Sequence, residues 1–259
     1  TAHELAHQWF QGLVATNEVR HPMLDEGLTT WAGYDLAGAL FGRATSFSKF
    51  PALNVFDVLR PFVMVPSDPP AARAVTQFSW DSYGRVIYGR VPLLFETLAR
   101  TFGRHRVHQA LGDYARRHRF AHPVPEDLMA ALERAFGPNV VRDIVRPALF
   151  HGADASVRLT RENGALVAER TGAIRLPSEV AIRCRDGRST RIAWPSTESR
   201  FVAPTPTDCV PVDARIDPSR SNLLDAHTVD DHIALDGYSG CWFSQALAWA
   251  VSWLMTVGP

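Results

Sequence analysis

The chain has 259 residues, of which 46% are hydrophobic and 21% are charged, so it has an ordinary globular composition and can bury one large or two modest cores. Its 27 Lys and Arg residues balance 27 Asp and Glu residues. With no net charge, the chain gives no electrostatic reason to expect nucleic acid or an acidic surface as a binding partner.

The first predicted element is a helix over residues 3–15, which opens with a His-Glu-x-x-His sequence. Residues four apart lie on one face of an α-helix, so His3 and His7 can direct their imidazoles at a single cation. Glu4 then lies beside the metal without being a ligand, where a general base can take a proton from the attacking water. The sequence therefore predicts a zinc site in which Glu4 is catalytic.

The third predicted ligand is Glu26, which follows His7 with eighteen residues between them. Glu26 opens a second predicted helix, residues 26–41, whose apolar positions allow it to pack against the first. Three protein ligands leave one coordination position open, which is typical of a catalytic zinc site. His21, in the linker, is an alternative further ligand, although we expect it to orient the turn before Glu26.

Metal ligands need partners that fix their orientation, and polar residues around Glu26 are candidates for this second layer of contacts. These candidates are Asp25, Thr29 and Thr30.

Two stretches resemble the zinc signature of the aminopeptidase N family of metallopeptidases, part of the gluzincin group that also contains thermolysin: residues 3–10, His-Glu-Leu-Ala-His-Gln-Trp-Phe, and residues 25–27, Asp-Glu-Gly. The resemblance implies one Zn²⁺ ion, a peptide substrate and removal of N-terminal residues. It covers the catalytic lobe and the region C-terminal to it, and we expect the N-terminal β domain of the family to be lacking here. Many relatives carry an acidic residue where this chain has Gly33, and whether Asp35 takes its place is left open.

Residues 43–78 contain five prolines, which predict an irregular connection without a long helix. Such a segment is typical of a loop that forms part of a substrate cleft, and a packed connection without a substrate role is the alternative. We expect its large apolar side chains to be buried. They are Phe47, Phe50, Phe56, Phe62 and Met64.

A strong helical pattern runs from Trp80 to Phe102 and contains Tyr88. Family members have a Tyr-x-Lys-Gly or similar run here, and the resemblance implies that Tyr88 hydrogen-bonds the oxyanion of the tetrahedral intermediate. A neutral phenol suits that role because its O–H can donate to developing negative charge. Tyr83 is the competing candidate, and Arg90 stands where lysine is commoner.

Three further helices are predicted at residues 104–119, 124–137 and 138–150. The first carries a cluster of arginines and histidines. Because no aromatic interleaving or net basic charge accompanies it, we interpret this cluster as a solvated helix face.

After Gly152 the apolar pattern changes from a helical period to alternation, which predicts a small antiparallel sheet or sandwich. The chain has too few cysteines for a disulfide framework. We expect Cys184, Cys209 and Cys241 to be small buried apolar groups, and a Cys184–Cys209 bond is the alternative.

The tail from Gly237 to Pro259 contains no charged residue and is apolar over residues 241–257. Three interpretations remain: a membrane anchor or interfacial helix, a helix docked in a groove of the protein, and a truncated or disordered end. The chain is accordingly either membrane-associated through this tail or cytoplasmic, and its oligomeric state is open.

The predicted fold class is α+β, with a mainly α-helical, thermolysin-like catalytic lobe (residues 1–151), a small antiparallel β domain (152–225) and an apolar C-terminal helix in the tail (226–259). The predicted function is zinc-dependent peptide-bond hydrolysis by an aminopeptidase. The alternatives are a gluzincin endopeptidase or epoxide hydrolase, and a catalytically inactive membrane-tethered fragment.

Overall fold

The computed structural model describes residues 2–65, 67–195 and 198–235, in which a helical N-terminal lobe is followed by two small antiparallel sheets. Three helices contain a π-helical turn. The helices are α1 (Ala2–Ala6), α2 (π-helical Met23–Gly27, then Leu28–Phe41), α3 (Val55–Val63), α4 (Trp80–Arg85, π-helical Val86–Arg90, then Val91–Phe102), α5 (Arg104–Arg117), α6 (Pro125–Phe136) and α7 (Pro138–Val140, π-helical Val141–Val145, then Arg146–His151).

The helices predicted from residue 80 to residue 150 lie where their apolar periodicity indicates. They share one core with α2, in which the largest fully buried side chains include Trp31, Phe95 and Tyr114. Glycines end three of these helices: Gly42, Gly103 and Gly137 all have φ between 89° and 101°, a conformation that favours a residue without Cβ.

The predicted helix over residues 3–15 was wrong in its length, because α1 ends at Ala6. The chain turns back beyond this point, with Gln11 at a φ of 99° and Phe10 bridged to Val14. His7 still donates its backbone N–H to the carbonyl of His3 at 3.3 Å, so the two histidines remain one helical turn apart. The two imidazoles can therefore still reach one metal ion, although α1 is shorter than predicted.

The proline-rich segment contains a helix that we did not predict. Asn54 caps α3 by accepting a hydrogen bond from the N–H of Phe56 at 2.9 Å, and Pro61 lies inside the helix near its end. The expected burial was confirmed for Phe56 and Met64. It was wrong for Phe47, Phe50 and Phe62, which are exposed because only one face of this segment contacts the core.

The seven strands of the described residues form two antiparallel sheets, of order β1-β2-β5 and β4-β3-β6-β7. The strands are β1 (Val157–Glu162), β2 (Ala165–Arg170), β3 (Ser178–Cys184), β4 (Ser189–Trp194), β5 (Arg200–Ala203), β6 (Pro211–Ile216) and β7 (His232–Ala234). Side chains from both sheets, including Leu159, Ile182 and Trp194, form one buried cluster, as in a β-sandwich. The alternation of apolar residues after Gly152 thus predicted strands correctly.

The β region is fastened to the helices by the segment that follows β6. Leu223 donates its N–H to Oγ1 of Thr97 at 3.1 Å, and the side chain of Asn222 donates to the carbonyl of Ala155 at 2.9 Å. Leu223 and Leu224 belong to the helical core. Through these contacts the helical lobe and the start of the β region pack together as a single unit.

A disulfide bond joins Cys184 to Cys209, with their Cα atoms 5.3 Å apart. The expectation that these two residues are separate buried apolar groups was wrong, and the alternative of a Cys184–Cys209 bond is confirmed. Cys184 ends β3, and the chain returns to pair with it at Pro211, so the fold brings the two sulfur atoms together.

We expect replacement of both Cys184 and Cys209 by alanine to lower the free energy of unfolding by about 3 kcal/mol, because the bond closes a loop across 25 positions of sequence. Urea-induced unfolding would measure this. Dithiothreitol should lower the stability of the wild-type chain to the same level and leave the variant unchanged. Equal stability of both chains with and without reductant would contradict the prediction.

Within residues 2–65, 67–195 and 198–235, none of the helices combines the length and the apolar composition that a transmembrane span requires. The predicted apolar helix and its membrane contact through residues 241–257 lie outside the described residues.

Candidate metal centre

The structure brings His3, His7 and Glu26 together around one point. Nε2 of His3 lies 3.0 Å from Oε2 of Glu26 and 3.2 Å from Nε2 of His7, and Nε2 of His7 lies 3.5 Å from Oε2 of Glu26. Among the described residues, these three side chains make the one group that could hold a metal ion. His21 is not in that group, and its carbonyl instead accepts from the N–H of Leu24 at 3.0 Å, in the turn before Glu26.

The donor set fits zinc in both spacing and chemistry. With metal–ligand bonds of about 2.0–2.1 Å, tetrahedral ligand atoms lie roughly 3.3 Å apart, which is the spacing found among these three atoms. Two imidazoles and one carboxylate are common ligands of catalytic zinc, and three of them leave a fourth position for water or substrate.

The other ring nitrogen of each histidine has polar neighbours, which orient the imidazoles. Nδ1 of His7 lies 2.9 Å from Oδ1 of Asp25, 3.4 Å from Oγ1 of Thr29 and 3.2 Å from the carbonyl of Phe10. Nδ1 of His3 lies 3.3 Å from Oγ1 of Thr30, whose hydroxyl donates to the carbonyl of Glu26 at 2.7 Å.

Asp25 is buried, and burial raises the pKa of its carboxyl to about 6, against the opposing effect of His7. A buried carboxyl beside an imidazole is the arrangement that holds a histidine ligand in one tautomer and one orientation. Asp25, Thr29 and Thr30 thus each lie within 3.4 Å of Nδ1 of one of the two histidines, and their role in orienting metal ligands stays a prediction.

The π-helical turn Met23–Gly27 at the start of α2 carries both acidic residues of the site, Asp25 and Glu26. Successive residues of a helix point in different directions, and here one carboxylate reaches Nδ1 of His7 while the next reaches the Nε2 atoms of both histidines. π-helical turns occur often at functional sites because they change the direction of a few side chains without ending the helix.

Gly27 allows α2 to approach α4 closely beside the site. A Cβ built on Gly27 would lie 2.6 Å from Cγ1 and 3.0 Å from Cβ of Val91, and 3.4 Å from the carbonyl oxygen of Ile87. These atoms belong to a buried, branched side chain and to backbone, so they cannot move aside easily. We did not single out Gly27 in the sequence. A glycine directly after a ligand in a helix is nevertheless a signal of close approach, because it costs about 1 kcal/mol relative to alanine.

We expect Gly27→Ala to lower the free energy of unfolding by about 1–3 kcal/mol, because the added methyl group overfills the contact between α2 and α4. Gly84→Ala is the matched control: Gly84 is also helical, and its Cβ would meet nothing within 4 Å. This control should raise stability by about 0.5–1 kcal/mol. Urea-induced unfolding would measure the free energy of unfolding of both variants. Equal changes for the two substitutions would contradict the close contact at Gly27.

Tyr88 lies in the π-helical turn of α4, at the edge of the metal centre. Its ring centroid is 6.0 Å from that of His3 and 5.7 Å from that of Tyr83. Burial, together with the negative charge of Glu26, raises the pKa of Tyr88 well above its ordinary value, so the phenol stays protonated and can donate a hydrogen bond.

Glu4 lies on α1 between the two histidines and is exposed to solvent.

Asp35 does not take the place of the acidic residue that Gly33 replaces. Its carboxylate lies 2.8 Å from Nη1 of Arg43 and 2.8 Å from Nε2 of His108, and it also accepts from Arg104. Burial alone would raise the pKa of Asp35, but these partners lower it. Gly33 instead lets α1 approach α2, since a Cβ there would lie 3.2 Å from the backbone N of His3.

Two histidines and a glutamate that could hold one metal ion, on a helical lobe, are the arrangement typical of metallopeptidases. The Peptidase family M1 domain matches residues 1–147, and the chain belongs to that family. Peptidases of this family are zinc-dependent.

Two curated relatives show the extent of the similarity. Aminopeptidase M1-B of Oryza sativa subsp. japonica is 29% identical over 140 residues, which are 54% of this chain and 16% of that protein. Aminopeptidase M1 of Arabidopsis thaliana is also 29% identical over 140 residues, with the same coverage. The chain thus matches only about a sixth of the length of these relatives.

A solved structure shares the fold over a longer stretch. The aminopeptidase A of Legionella pneumophila, determined in complex with aspartic acid, matches with a TM-score of 0.60 and 14% identity over 86% of this chain and 26% of that one. The match extends beyond the helical lobe, so the β region belongs to the shared architecture.

Proposed function

We propose that this chain carries the catalytic centre of a zinc-dependent aminopeptidase. The observation that carries the proposal is the convergence of Nε2 of His3, Nε2 of His7 and Oε2 of Glu26 to within 3.0–3.5 Å of one another. Structural zinc sites are closed by four protein ligands, whereas three ligands with water access suit hydrolysis.

His3, His7 and Glu26 would hold the ion, with Asp25 and Thr30 fixing the two imidazoles. When bound, zinc supplies Lewis-acid activation of the scissile carbonyl and of the attacking water.

Glu4 takes the proton from the attacking water and then passes it to the nitrogen of the leaving amine, so the same carboxylate acts first as base and then as acid. The protonated phenol of Tyr88 donates a hydrogen bond to the oxygen of the tetrahedral intermediate, where negative charge develops. Both residues lie next to the proposed ligands, in sequence for Glu4 and in space for Tyr88.

Removal of N-terminal residues, rather than internal cleavage, is proposed from the names of the two curated relatives, both of which are aminopeptidases. Recognition of a free amino group needs an anionic partner in addition to the hydrolytic residues. The finer activity therefore needs a substrate test of its own.

To test the proposed function, we would measure the zinc content of the purified chain and the turnover of aminoacyl amides and of internally quenched peptides with blocked N-termini. We expect one zinc ion per chain, with hydrolysis of the aminoacyl substrates alone. Cleavage of the blocked peptides would instead identify an endopeptidase. A zinc-loaded chain that cleaves neither substrate would refute catalysis by this chain.

A further inference from the structure

A cavity of about 520 Å³ lies where the helical lobe meets the β region. It is lined by residues of α3, of β6 and of the segment between β6 and β7. The described residues that line it do not include His3, His7 or Glu26. Sites for small molecules have volumes of roughly 300–1,000 Å³ and often lie between domains. The cavity therefore has the size and the position of a ligand site, and it is separate from the proposed metal ligands.

Part of the lining is apolar and comes from both lobes. Pro61 lies on α3 and Met64 directly after it, whereas Val157 and Ile216 belong to strands β1 and β6. Pro61 is exposed, so its ring is open to a molecule in the cavity. An apolar side chain placed against this part of the lining would be removed from water, which is favourable.

Asp225 contributes a buried negative charge to the cavity. The residue is 2% exposed, and its Oδ1 accepts from the N–H of His227 at 2.8 Å. Its Oδ2 has no hydrogen-bond donor among the described residues: Nη2 of Arg60 lies 3.8 Å away, because Arg60 donates to the backbone carbonyl of Asp225 at 3.1 Å. Burial raises the pKa of this carboxyl to about 6, so it is largely ionised at neutral pH. A buried, ionised oxygen without a donor favours an ammonium group as its partner.

The other carboxylates of the lining differ in how far they are already bound. Asp57 lies 3.1 Å from Nη1 of Arg100, and Asp217 accepts from the N–H of Asn222 at 2.7 Å. The side chain of Asp231 makes no hydrogen bond within the described ranges, and burial raises its pKa against the opposing effect of Arg215. Asp231 is thus a second carboxylate that an ammonium group can approach.

Two arginines contribute positive charge to the same cavity. Arg215 lies on β6 and Arg220 in the segment that follows it, and both are exposed. In the part of the chain that the structure describes, neither guanidinium makes a hydrogen bond or an ion pair. A guanidinium can bind a carboxylate through two parallel N–H···O bonds. The cavity therefore offers unsatisfied groups of both signs beside an apolar surface.

We propose that this cavity binds a small zwitterion, namely an amino acid or short peptide with an apolar side chain. The ammonium group of the ligand pairs with Asp225, its carboxylate with Arg215, and its side chain packs against Pro61. The bound ligand thereby connects the helical lobe to β6. This inference goes beyond the proposed function, because binding in the cavity needs neither zinc nor turnover.

The first test is calorimetric titration of the full chain carrying His3→Ala, so that the metal centre does not contribute to binding. We expect leucine to bind with a Kd on the order of 1 mM, as its size allows. Leucinamide lacks the carboxylate and isocaproate lacks the ammonium group, so each should bind about tenfold more weakly or worse. Leucyl-leucine distinguishes the two sources of the chemistry: tighter binding than leucine identifies a short peptide, and weaker binding a free amino acid.

The second test replaces charges of the lining in the same chain. Arg215→Gln should weaken leucine about tenfold or more, and so should Asp225→Asn, which keeps an oxygen for the N–H of His227. Arg191→Gln is the matched control, since Arg191 is an exposed arginine of β4, in the same sheet but outside the lining, and leucine affinity should not change. In the ¹⁵N-labelled chain, leucine should shift amide resonances of β6 and of residues 222–231.

Three results would overturn the inference: no saturable binding of leucine, equal affinity for leucine and for either singly charged analogue, or equal leucine affinity of Arg215→Gln and Arg191→Gln. Shifts confined to residues around the metal centre would also overturn it. Failure of the proposed function looks different, because a zinc-loaded wild-type chain that cleaves no substrate would still bind leucine in the cavity.

Discussion

Replacement of Glu4 by glutamine is expected to lower kcat by about 10²–10⁴-fold while one zinc ion stays bound to the chain. Glutamine has nearly the same shape as glutamate but cannot take up a proton, so the variant loses the base for the attacking water. Because Glu4 is exposed and His3, His7 and Glu26 are unaltered, binding of the metal should persist. Steady-state kinetics with aminoacyl amides and zinc analysis of the same sample would measure both quantities.

Glu133→Gln is the matched control for this substitution. Glu133 is an exposed glutamate on α6, and it is not among the residues of the metal centre. Its replacement should leave kcat and zinc content at wild-type values. Retention of full turnover by Glu4→Gln would show that the proposed mechanism is wrong, whereas loss of zinc from that variant would show that Glu4 has a role in binding the metal.

Removal of a proposed metal ligand is expected to have the second large effect, a loss of zinc affinity. We expect His3→Ala to lower zinc affinity well beyond the roughly 10–100-fold loss caused by removing a group that only orients a ligand. Two ligand atoms would remain of the three that now lie within 3.0–3.5 Å of one another. Isothermal titration with zinc would measure the change, and turnover should disappear with the metal.

Two further variants serve as references for the zinc affinity of His3→Ala. Asp25→Asn keeps all three ligands but loses the carboxylate that lies 2.9 Å from Nδ1 of His7, so its zinc affinity should fall about 10–100-fold. His105→Ala removes an exposed histidine of α5 and should change nothing. An affinity for His3→Ala equal to that of wild type would refute the proposed ligand set.

Bound metal should also stabilise the folded chain, because an unfolded chain has no preformed site. At a free zinc concentration of 100 times Kd, the linkage amounts to about 2.7 kcal/mol. The wild-type chain should gain this stability on addition of zinc, and His3→Ala should not.

Much of this molecule can be predicted from local patterns in the sequence. The helical spacing of His3 and His7 brings their rings together, even though α1 ends at Ala6. The apolar periodicity from Trp80 to Phe102 predicted a helix that includes Tyr88, and the alternation after Gly152 predicted strands. These features depend on interactions between residues close in sequence, whose spacing can be read directly.

Other features depend on which distant segments meet. The Cys184–Cys209 bond exists because β3 and the start of β6 are neighbours in one sheet, and the spacing of the cysteines alone does not indicate this. Exposure of Phe50 and burial of Phe56 likewise depend on which face of the proline-rich segment meets the core.

The candidate metal centre contains features of both kinds, some set by local sequence and some set by contacts between distant segments. Local sequence was enough to identify the groups of the candidate centre: two imidazoles, two carboxylates and a phenol, at spacings typical of one metallopeptidase family. Their orientation follows from long-range packing, which places Asp25 against His7 and Thr30 against His3 and binds Asp35 to arginines elsewhere. The same packing brings α4 close to Gly27. The physical reason is that a ligand's identity belongs to one residue, whereas its direction depends on packing between helices that are far apart in the chain.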